Sequence, residues 1–404
     1  MAEKNSLQIS MRGVQMPASP IRKLAPLAEA AESRGIKIYK LNIGQPDLPT
    51  PKKALDALKT IDRTTLEYSP SQGYRSLREK LVQYYDRYQI KLSADDIIIT
   101  AGGSEAVLFA FLSCLNPGDE IIVPEPAYAN YMAFAVSAGA VIRTIATTID
   151  EGFCLPKVEK FEELINERTK AILICNPNNP TGYLYTQKEM NQIRDLVKKH
   201  NLYLFSDEVY REFIYTGSPY ISSMHLDGIQ QNVVLIDSVS KRYSECGIRI
   251  GALITKNEAI RKTVMKFCQA RLSPPLIGQI VAEASIDGTE AYSREIYEEY
   301  VERRKCLIDG VNRIPGCYTP LPMGAFYTVA KLPVDDAEKF CAWCLTDFNY
   351  EGETVMMAPA AGFYTTPGLG KDEVRMAYVL RKEDLKRALF ILSKALEQYN
   401  SLKD

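Results

Sequence analysis

Residues 171–210 run AILICNPNNP TGYLYTQKEM NQIRDLVKKH NLYLFSDEVY, and the fold class follows from them. The segment opens on a short apolar run, 171–174, and closes on another, 202–205. Between the two, 187–199 carries its apolar residues at helical spacing, after the turn formers Asn176-Pro-Asn-Asn-Pro-Thr-Gly182. Strand, turn, helix and strand in that order make one unit of a parallel sheet covered by helices.

The same alternation extends in both directions from Asp95 to about Thr255. Further strands are expected at 97–100, 121–123, 141–145, 233–236 and 250–254, with helices at 104–115, 128–137 and 158–166. The expected fold is therefore α/β, with a mainly parallel seven-stranded sheet in a large domain. Downstream, Ile296, Tyr300, Leu307, Val311 and Ile314 share one helical face, which predicts a long helix over 292–314, stopped by Pro315-Gly316. Strands at 326–330, 354–357 and 374–380 and helices at 337–348 and 382–398 then predict a smaller α+β domain. Upstream, Pro17, Pro20 and Pro26 mark an irregular arm, with a helix at 26–33. The expected division is 1–47 as arm and part of the small domain, 48–291 as the large domain, and 292–404 as connecting helix and small domain.

The chain of 404 residues is 46% apolar and 25% charged, enough apolar material for one or two substantial cores. Its 49 Lys and Arg against 50 Asp and Glu leave a net charge of −1, which gives no electrostatic footprint for nucleic acid or an anionic membrane. The nine scattered cysteines fit reduced thiols better than a disulfide framework. Cys341-Ala-Trp-Cys344 forms a C-x-x-C, but Phe340, Trp343, Cys344 and Leu345 make it one apolar face of a helix. With only His200 and His225 in the chain and no second C-x-x-C, no metal site is expected. Glu3, Lys4 and Gln8 interrupt the N-terminal segment, and no run of about 18 apolar residues occurs, so a soluble, cytoplasmic protein is expected.

In open α/β sheets ligands collect beyond the carboxyl ends of the strands. Four loops there carry unusual chemistry. Thr100-Ala-Gly-Gly-Ser-Glu-Ala106 opens a helix with a glycine pair whose backbone N–H groups can cradle a phosphate. It is not a dinucleotide or triphosphate motif: no G-x-G-x-x-G follows a strand, and Gly368-Leu-Gly370-Lys lacks the hydroxyl residue a P-loop requires. The second loop can hold the carboxamide of Asn179 at a strand end, or be only a rigid turn. Ser206-Asp-Glu-Val-Tyr210 sets a carboxylate at a strand end, where a helix cap also explains Asp207. The fourth, Asp237-Ser-Val-Ser-Lys241, flanks a lysine with hydroxyls and has Arg249 eight residues on.

Taken in order with Asn42-Ile-Gly-Gln-Pro-Asp47, Tyr68-Ser-Pro-Ser-Gln-Gly73, Gly247-Ile-Arg-Ile-Gly251, Gly324-Ala-Phe-Tyr327 and Val374-Arg-Met-Ala-Tyr378, these words resemble the class I/II aminotransferases over nearly the whole chain. These are fold-type-I enzymes that use pyridoxal 5′-phosphate, and the likeness is to the bacterial aspartate aminotransferase-like branch. The resemblance implies that Lys241 forms the internal aldimine and moves the α-proton, that Asp207 pairs with the pyridinium nitrogen, and that Tyr210 and Asn179 bond the cofactor's phenolic oxygen. It further implies that Tyr128 stacks on the ring, and that the backbone around Gly103, Ser104 and Glu105, the hydroxyls of Ser238 and Ser240, and Arg249 hold the phosphate. Tyr68 would reach that phosphate from a neighbouring subunit, which makes the active unit a homodimer. Arg375, helped by Asn179 and the backbone of Gly44, would pair with the substrate α-carboxylate.

One departure concerns side-chain selection. In one subgroup a partner arginine follows a Pro-Pro turn, whereas Ser273-Pro-Pro-Leu-Ile-Gly-Gln-Ile280 has Ile280 near that place; Arg22 in the arm is the alternative reader of an acidic side chain. The expected reaction is transfer of the amino group of an L-amino acid, aspartate first, to 2-oxoglutarate by a ping-pong path. A lyase of the β-C–S type on the same fold stays open from the residues, because substrate pose decides between them. A transcription regulator would need a helix-turn-helix domain for which the proline-rich arm has no room.

Overall fold

The computed structural model describes residues 7–217 and 219–402; residues 1–6, on which part of the leader reading rests, lie outside it. Its strands in chain order are β1 (Lys37–Lys40), β2 (Ile97–Thr100), β3 (Glu120–Glu125), β4 (Val141–Ala146), β5 (Thr169–Cys175), β6 (Tyr203–Asp207), β7 (Val233–Ser238), β8 (Gly251–Ile254), β9 (Tyr327–Lys331), β10 (Glu353–Met356), β11 (Ala358–Pro359) and β12 (Glu373–Ala377). Seven of them form the central sheet in the order β2-β8-β7-β6-β5-β3-β4. All run parallel except β8, which is antiparallel to both neighbours. Residues 239–250 turn the chain back without the crossover a parallel return requires, and this turn carries Lys241 and Arg249.

Apolar side chains alternate across the sheet with the period of two that a pleated strand imposes. Ile172, Ile174, Leu204 and Leu235 join one core with Leu77, Tyr84, Tyr85 and Ile193. Their neighbours Ala171, Leu173, Phe205, Val234 and Ile236 join another with Phe109, Phe111 and Tyr131. Burial on both faces explains why these strands are continuous apolar runs in sequence. The edge strand β4 is exposed at Val141, Arg143 and Ala146 and buries only Ile145. Parallel direction brings the last residues of β2, β5, β6 and β7 (Thr100, Cys175, Asp207 and Ser238) to the same edge.

The smaller α+β body holds the antiparallel sheet β11-β12-β9 and the pair β1-β10, in which Lys37–Lys40 lies parallel to 353–356. The helix Thr289–Val311 packs against Lys382–Ser401 through Leu307, Val311, Leu385 and Leu392. At Gly310 a Cβ would lie 2.3 Å from Leu389 Cδ1, so glycine permits the close approach. Cys341 and Cys344 sit in this core as free thiols, pushed up by burial, on the apolar face of Ala337–Thr346.

Several elements lie outside the expected set: the helices Lys52–Lys59, Arg75–Asp86, Glu258–Arg271 and Leu276–Ile286, and the short strands β1 and β11. The helix expected at 128–137 starts at Asn130, leaving Tyr128 on the preceding turn, and ends against Gly139 in the left-handed conformation. Among the described residues no helix is long and apolar enough to cross a membrane.

Candidate active site

One cleft at the carboxyl edge of the sheet is lined by Gly103, Ser104, Tyr128, Asn179, Asp207, Tyr210, Ser238, Ser240, Lys241 and Arg249. Tyr131, Phe134, Cys175 and Cys246, which the sequence reading did not name, line it too.

One end of the cleft is built to hold an anion. Gly102 has φ +82°, and a Cβ there would lie 2.4 Å from Arg249 Nη2, so only glycine lets that guanidinium lie against the turn. Arg249 itself adopts the left-handed conformation, φ +57°, and donates to the carbonyls of Cys246 (3.1 Å) and Ala101 (3.3 Å). The helix Gly103–Cys114 begins here with unpaired N–H donors and the positive end of its dipole. Ser238 Oγ donates to Ser240 Oγ at 2.8 Å and accepts from the Ser240 amide, which ties both hydroxyls to the same end. Glu105 is in the first turn of this helix; its carboxylate turns back to accept from the Ala101 amide (2.8 Å) and pair with Arg271 (2.5 Å), so only its backbone faces the anion end.

Asp207 ends β6 at the cleft's floor. Burial pushes its carboxyl up to about 6, against the pull of a 2.6 Å bond from Tyr131 Oη to Oδ2 and a weaker one from the Val209 amide to Oδ1. A buried carboxylate with one oxygen so lightly held is suited to a cationic N–H. Tyr131 was not foreseen, although its spacing of three from Tyr128 at a helix start is a usable signal; the two rings meet edge to face at 5.3 Å.

The adjacent cations Lys241 and Arg242 point to opposite sides of the turn after β7. Arg242 is buried, pairs with Asp237 at 2.6 Å and lies 4.0 Å from the centroid of the Tyr84 ring. Burial would raise the Asp237 carboxyl, but Arg242 and Arg211 outweigh it and hold the group below its usual range. With the turn anchored in this way, Lys241 reaches into the cleft and donates to Gly44 O at 2.7 Å, with Cys246 Sγ at 3.8 Å.

Arg375, on β12, is 1% exposed, and among the described residues no carboxylate lies within ion-pair distance of it. Its Nη1 donates to Asn179 Oδ1 at 3.1 Å, its Nη2 donates to Asn42 O, and its Nε has no protein partner. The rings of Tyr327 and Phe363 flank it at 4.7 and 5.0 Å. Burial lowers its pKa, as expected for a cation held only by neutral groups and suited to an anion. The carbonyl that Arg375 holds belongs to Asn42, while the Gly44 carbonyl accepts from Lys241. Asn179 links the two halves of the site, since its Nδ2 donates to Tyr210 Oη at 3.2 Å.

Two expected residues are exposed on the surface of this chain. Tyr68 is 76% exposed. Arg22 is exposed on the arm, close enough for its charge to act on the Tyr128 phenol, which burial pushes up to about 12. Among the described residues no group of three or more His, Cys, Asp or Glu could hold a metal ion.

The profile of the family described as aminotransferase class I and II matches residues 36–391. The chain is 32% identical to aspartate aminotransferase of Pyrococcus horikoshii, over 98% of this chain and 99% of that one. It is 30% identical to (5-formylfuran-3-yl)methyl phosphate transaminase of Methanocaldococcus jannaschii, over 94% of this chain and 97% of that one. Among solved structures, aspartate aminotransferase of Thermotoga maritima superposes with a TM-score of 0.88 at 28% identity, over 96% of this chain and all of that one. Matched by the family profile over most of its length and by relatives nearly from end to end, the chain belongs to the class I and II aminotransferases, enzymes dependent on pyridoxal 5′-phosphate.

Proposed function

We propose that this aminotransferase moves the amino group of an L-amino acid, aspartate first, to 2-oxoglutarate by a ping-pong sequence, from a homodimer with shared sites. The observation that carries the reading is Arg375: a buried guanidinium joined through Asn179 to Tyr210, both of which line the cleft with Lys241. The cleft's donors fit the cofactor. The glycine-opened helix start, the Ser238 and Ser240 hydroxyls and Arg249 suit a phosphate, and the lightly held Asp207 Oδ1 suits a protonated ring nitrogen. When bound, pyridoxal 5′-phosphate supplies an electron sink.

This chain's residues do the rest. Arg375 takes the α-carboxylate in a two-pronged charge-assisted contact and so sets which bond at Cα stands toward the sink. Lys241 Nζ removes the Cα proton and later returns it. Asp207 keeps a proton on the ring nitrogen, while Tyr210 and Asn179 hold the phenolic oxygen and Tyr128 covers the ring face. Tyr68, exposed on this chain, reaches the phosphate end of a second copy's site. The keto acid made from the donor leaves before 2-oxoglutarate enters, because both need Arg375.

Relatives named aspartate aminotransferase support aspartate as donor, while the phosphate transaminase is named for a formyl compound, which has the chemistry of an amino acceptor. The lyase alternative is not favoured, since the relatives reported above carry transaminase names. A screen of the loaded protein against twenty amino acids with 2-oxoglutarate tests the reading. Glutamate formation with the matching keto acid supports it; release of pyruvate and a thiol from a cysteine conjugate, without glutamate, overturns it.

A further inference from the structure

Tyr327 closes the Gly324-Ala-Phe-Tyr327 word, for which no role follows from the reading above, yet it touches three functional groups at once. It begins β9, is 2% exposed, and its ring centroid lies 4.7 Å from the Arg375 guanidinium carbon. Its hydroxyl accepts from Tyr210 Oη at 3.2 Å and donates to Gly44 O at 3.4 Å, the carbonyl that also takes the Lys241 ammonium. The approach is possible only because residue 44 is glycine: a Cβ there would lie 1.7 Å from the Tyr327 oxygen.

Each phenol has a single proton to give, so the donors along this line are ordered. Asn179 Nδ2 gives to Tyr210, Tyr210 to Tyr327, and Tyr327 to Gly44. Two consequences follow. The Tyr210 proton is shared between the Tyr327 oxygen and any acceptor in the cleft, so Tyr327 sets how strongly Tyr210 can donate to that acceptor. The Gly44 carbonyl also keeps a donor when Lys241 Nζ moves away, which spares the site a buried unpaired carbonyl.

We propose that Tyr327 is a positioning residue of the amino-transfer site, its hydroxyl moderating the Tyr210 hydrogen bond to the cofactor's phenolic oxygen and its ring seating Arg375. The inference rests on the roles given above to Tyr210 and Arg375, and it predicts that the two parts of one side chain have separable effects.

The test uses the loaded enzyme with Tyr327→Phe, Tyr327→Leu and Tyr210→Phe, each checked for thermal unfolding. Without substrate, the pH at which the visible band changes is titrated. Tyr327→Phe frees the Tyr210 proton for the cofactor oxygen, which favours the anionic oxygen, and moves the midpoint down by about 0.5–1 pH unit, the reach of one hydrogen bond. Tyr210→Phe removes that donor and moves the midpoint up. With substrate, Tyr327→Phe keeps the ring and holds KM for the amino acid within about twofold, whereas Tyr327→Leu unseats Arg375 and raises KM about tenfold, the range of a cation–π contact. An unmoved midpoint in Tyr327→Phe, or an upward one, overturns the hydroxyl's role; equal KM in Phe and Leu variants overturns the ring's. Loss of glutamate formation in the wild type with the band shifts intact would instead fail the proposed reaction and leave the Tyr327–Tyr210 assignment standing.

Discussion

Tyr131 Oη donates a 2.6 Å hydrogen bond to Asp207 Oδ2 from a helix 76 residues earlier in the chain. The phenol opposes the burial that pushes the carboxyl up to about 6, and so favours the charged form at neutral pH. In Tyr131→Phe the carboxyl rises further. Loss of one such bond predicts turnover down about tenfold with KM nearly unchanged. A rise in KM with kcat intact would make Tyr131 a substrate-packing residue instead.

Asp207→Asn has opposite effects on activity and stability. Turnover by the loaded enzyme falls by several orders of magnitude, and a loss under about tenfold would reduce Asp207 to a helix cap. In cofactor-free protein the unfolded carboxyl loses its proton near the usual 3.8 and the folded one near 6, so ionisation costs stability increasingly as pH rises between these values. Asparagine carries no such cost. The variant is therefore more stable above pH 6, by up to about 3 kcal/mol, and the advantage disappears below about pH 4. Thermal unfolding at pH 4 and pH 8 measures the difference; greater stability of the wild type at pH 8 would contradict it.

Lys241→Ala should bind pyridoxal 5′-phosphate without covalent attachment, losing the visible band of the wild type and any borohydride-fixed adduct. Because Arg242 and Asp237 hold the turn independently of Lys241, the melting temperature of the cofactor-free variant stays close to wild type. A fixed adduct surviving in the variant would move the nucleophile elsewhere.

Tyr68 and Lys241 belong to different subunits of one site in the proposed dimer. Mixing inactive Tyr68→Ala and Lys241→Ala proteins should restore part of the activity, since one of the two hybrid sites then keeps both residues. Verified subunit exchange with no recovery would assign each site to a single chain.

Arg22→Ala tests who reads the donor's side chain. If Arg22 pairs with it, KM for aspartate rises about tenfold or more while KM for alanine holds, the range of one charge-assisted contact. Equal rises for both amino acids would leave Arg22 as part of a cover over the site.

Lys241, Asp207 and Asn179 were legible because each follows a short apolar run and its strand-end position is local information. The parts played by Tyr131 and Tyr327 were not. Tyr131 and Tyr327 meet their partners across 76 and 117 residues, and no periodicity in the chain pairs them. At Glu105 the local position at a helix start was legible, but not that Arg271, 166 residues away, takes its side chain. The helix Leu276–Ile286 is apolar around most of its circumference and shows no stripe, whereas Arg75–Asp86 buries Leu77, Leu81, Tyr84 and Tyr85 at helical spacing and was legible in principle.

What the sequence by itself determined is whatever a period of two or 3.6 and a turn-forming word can carry: alternating strands and helices, and the carboxyl-end loops bearing the acid, the lysine and the glycine pair. What only the tertiary structure decided is the direction of β8, the opposed aims of Lys241 and Arg242, and the hydrogen-bond line from Asn179 to Gly44. Local propensity acts over a few residues, whereas a buried polar group must find its partner wherever close packing brings one. For Asp207, Tyr210 and Arg375 that partner came from a distant segment of the chain.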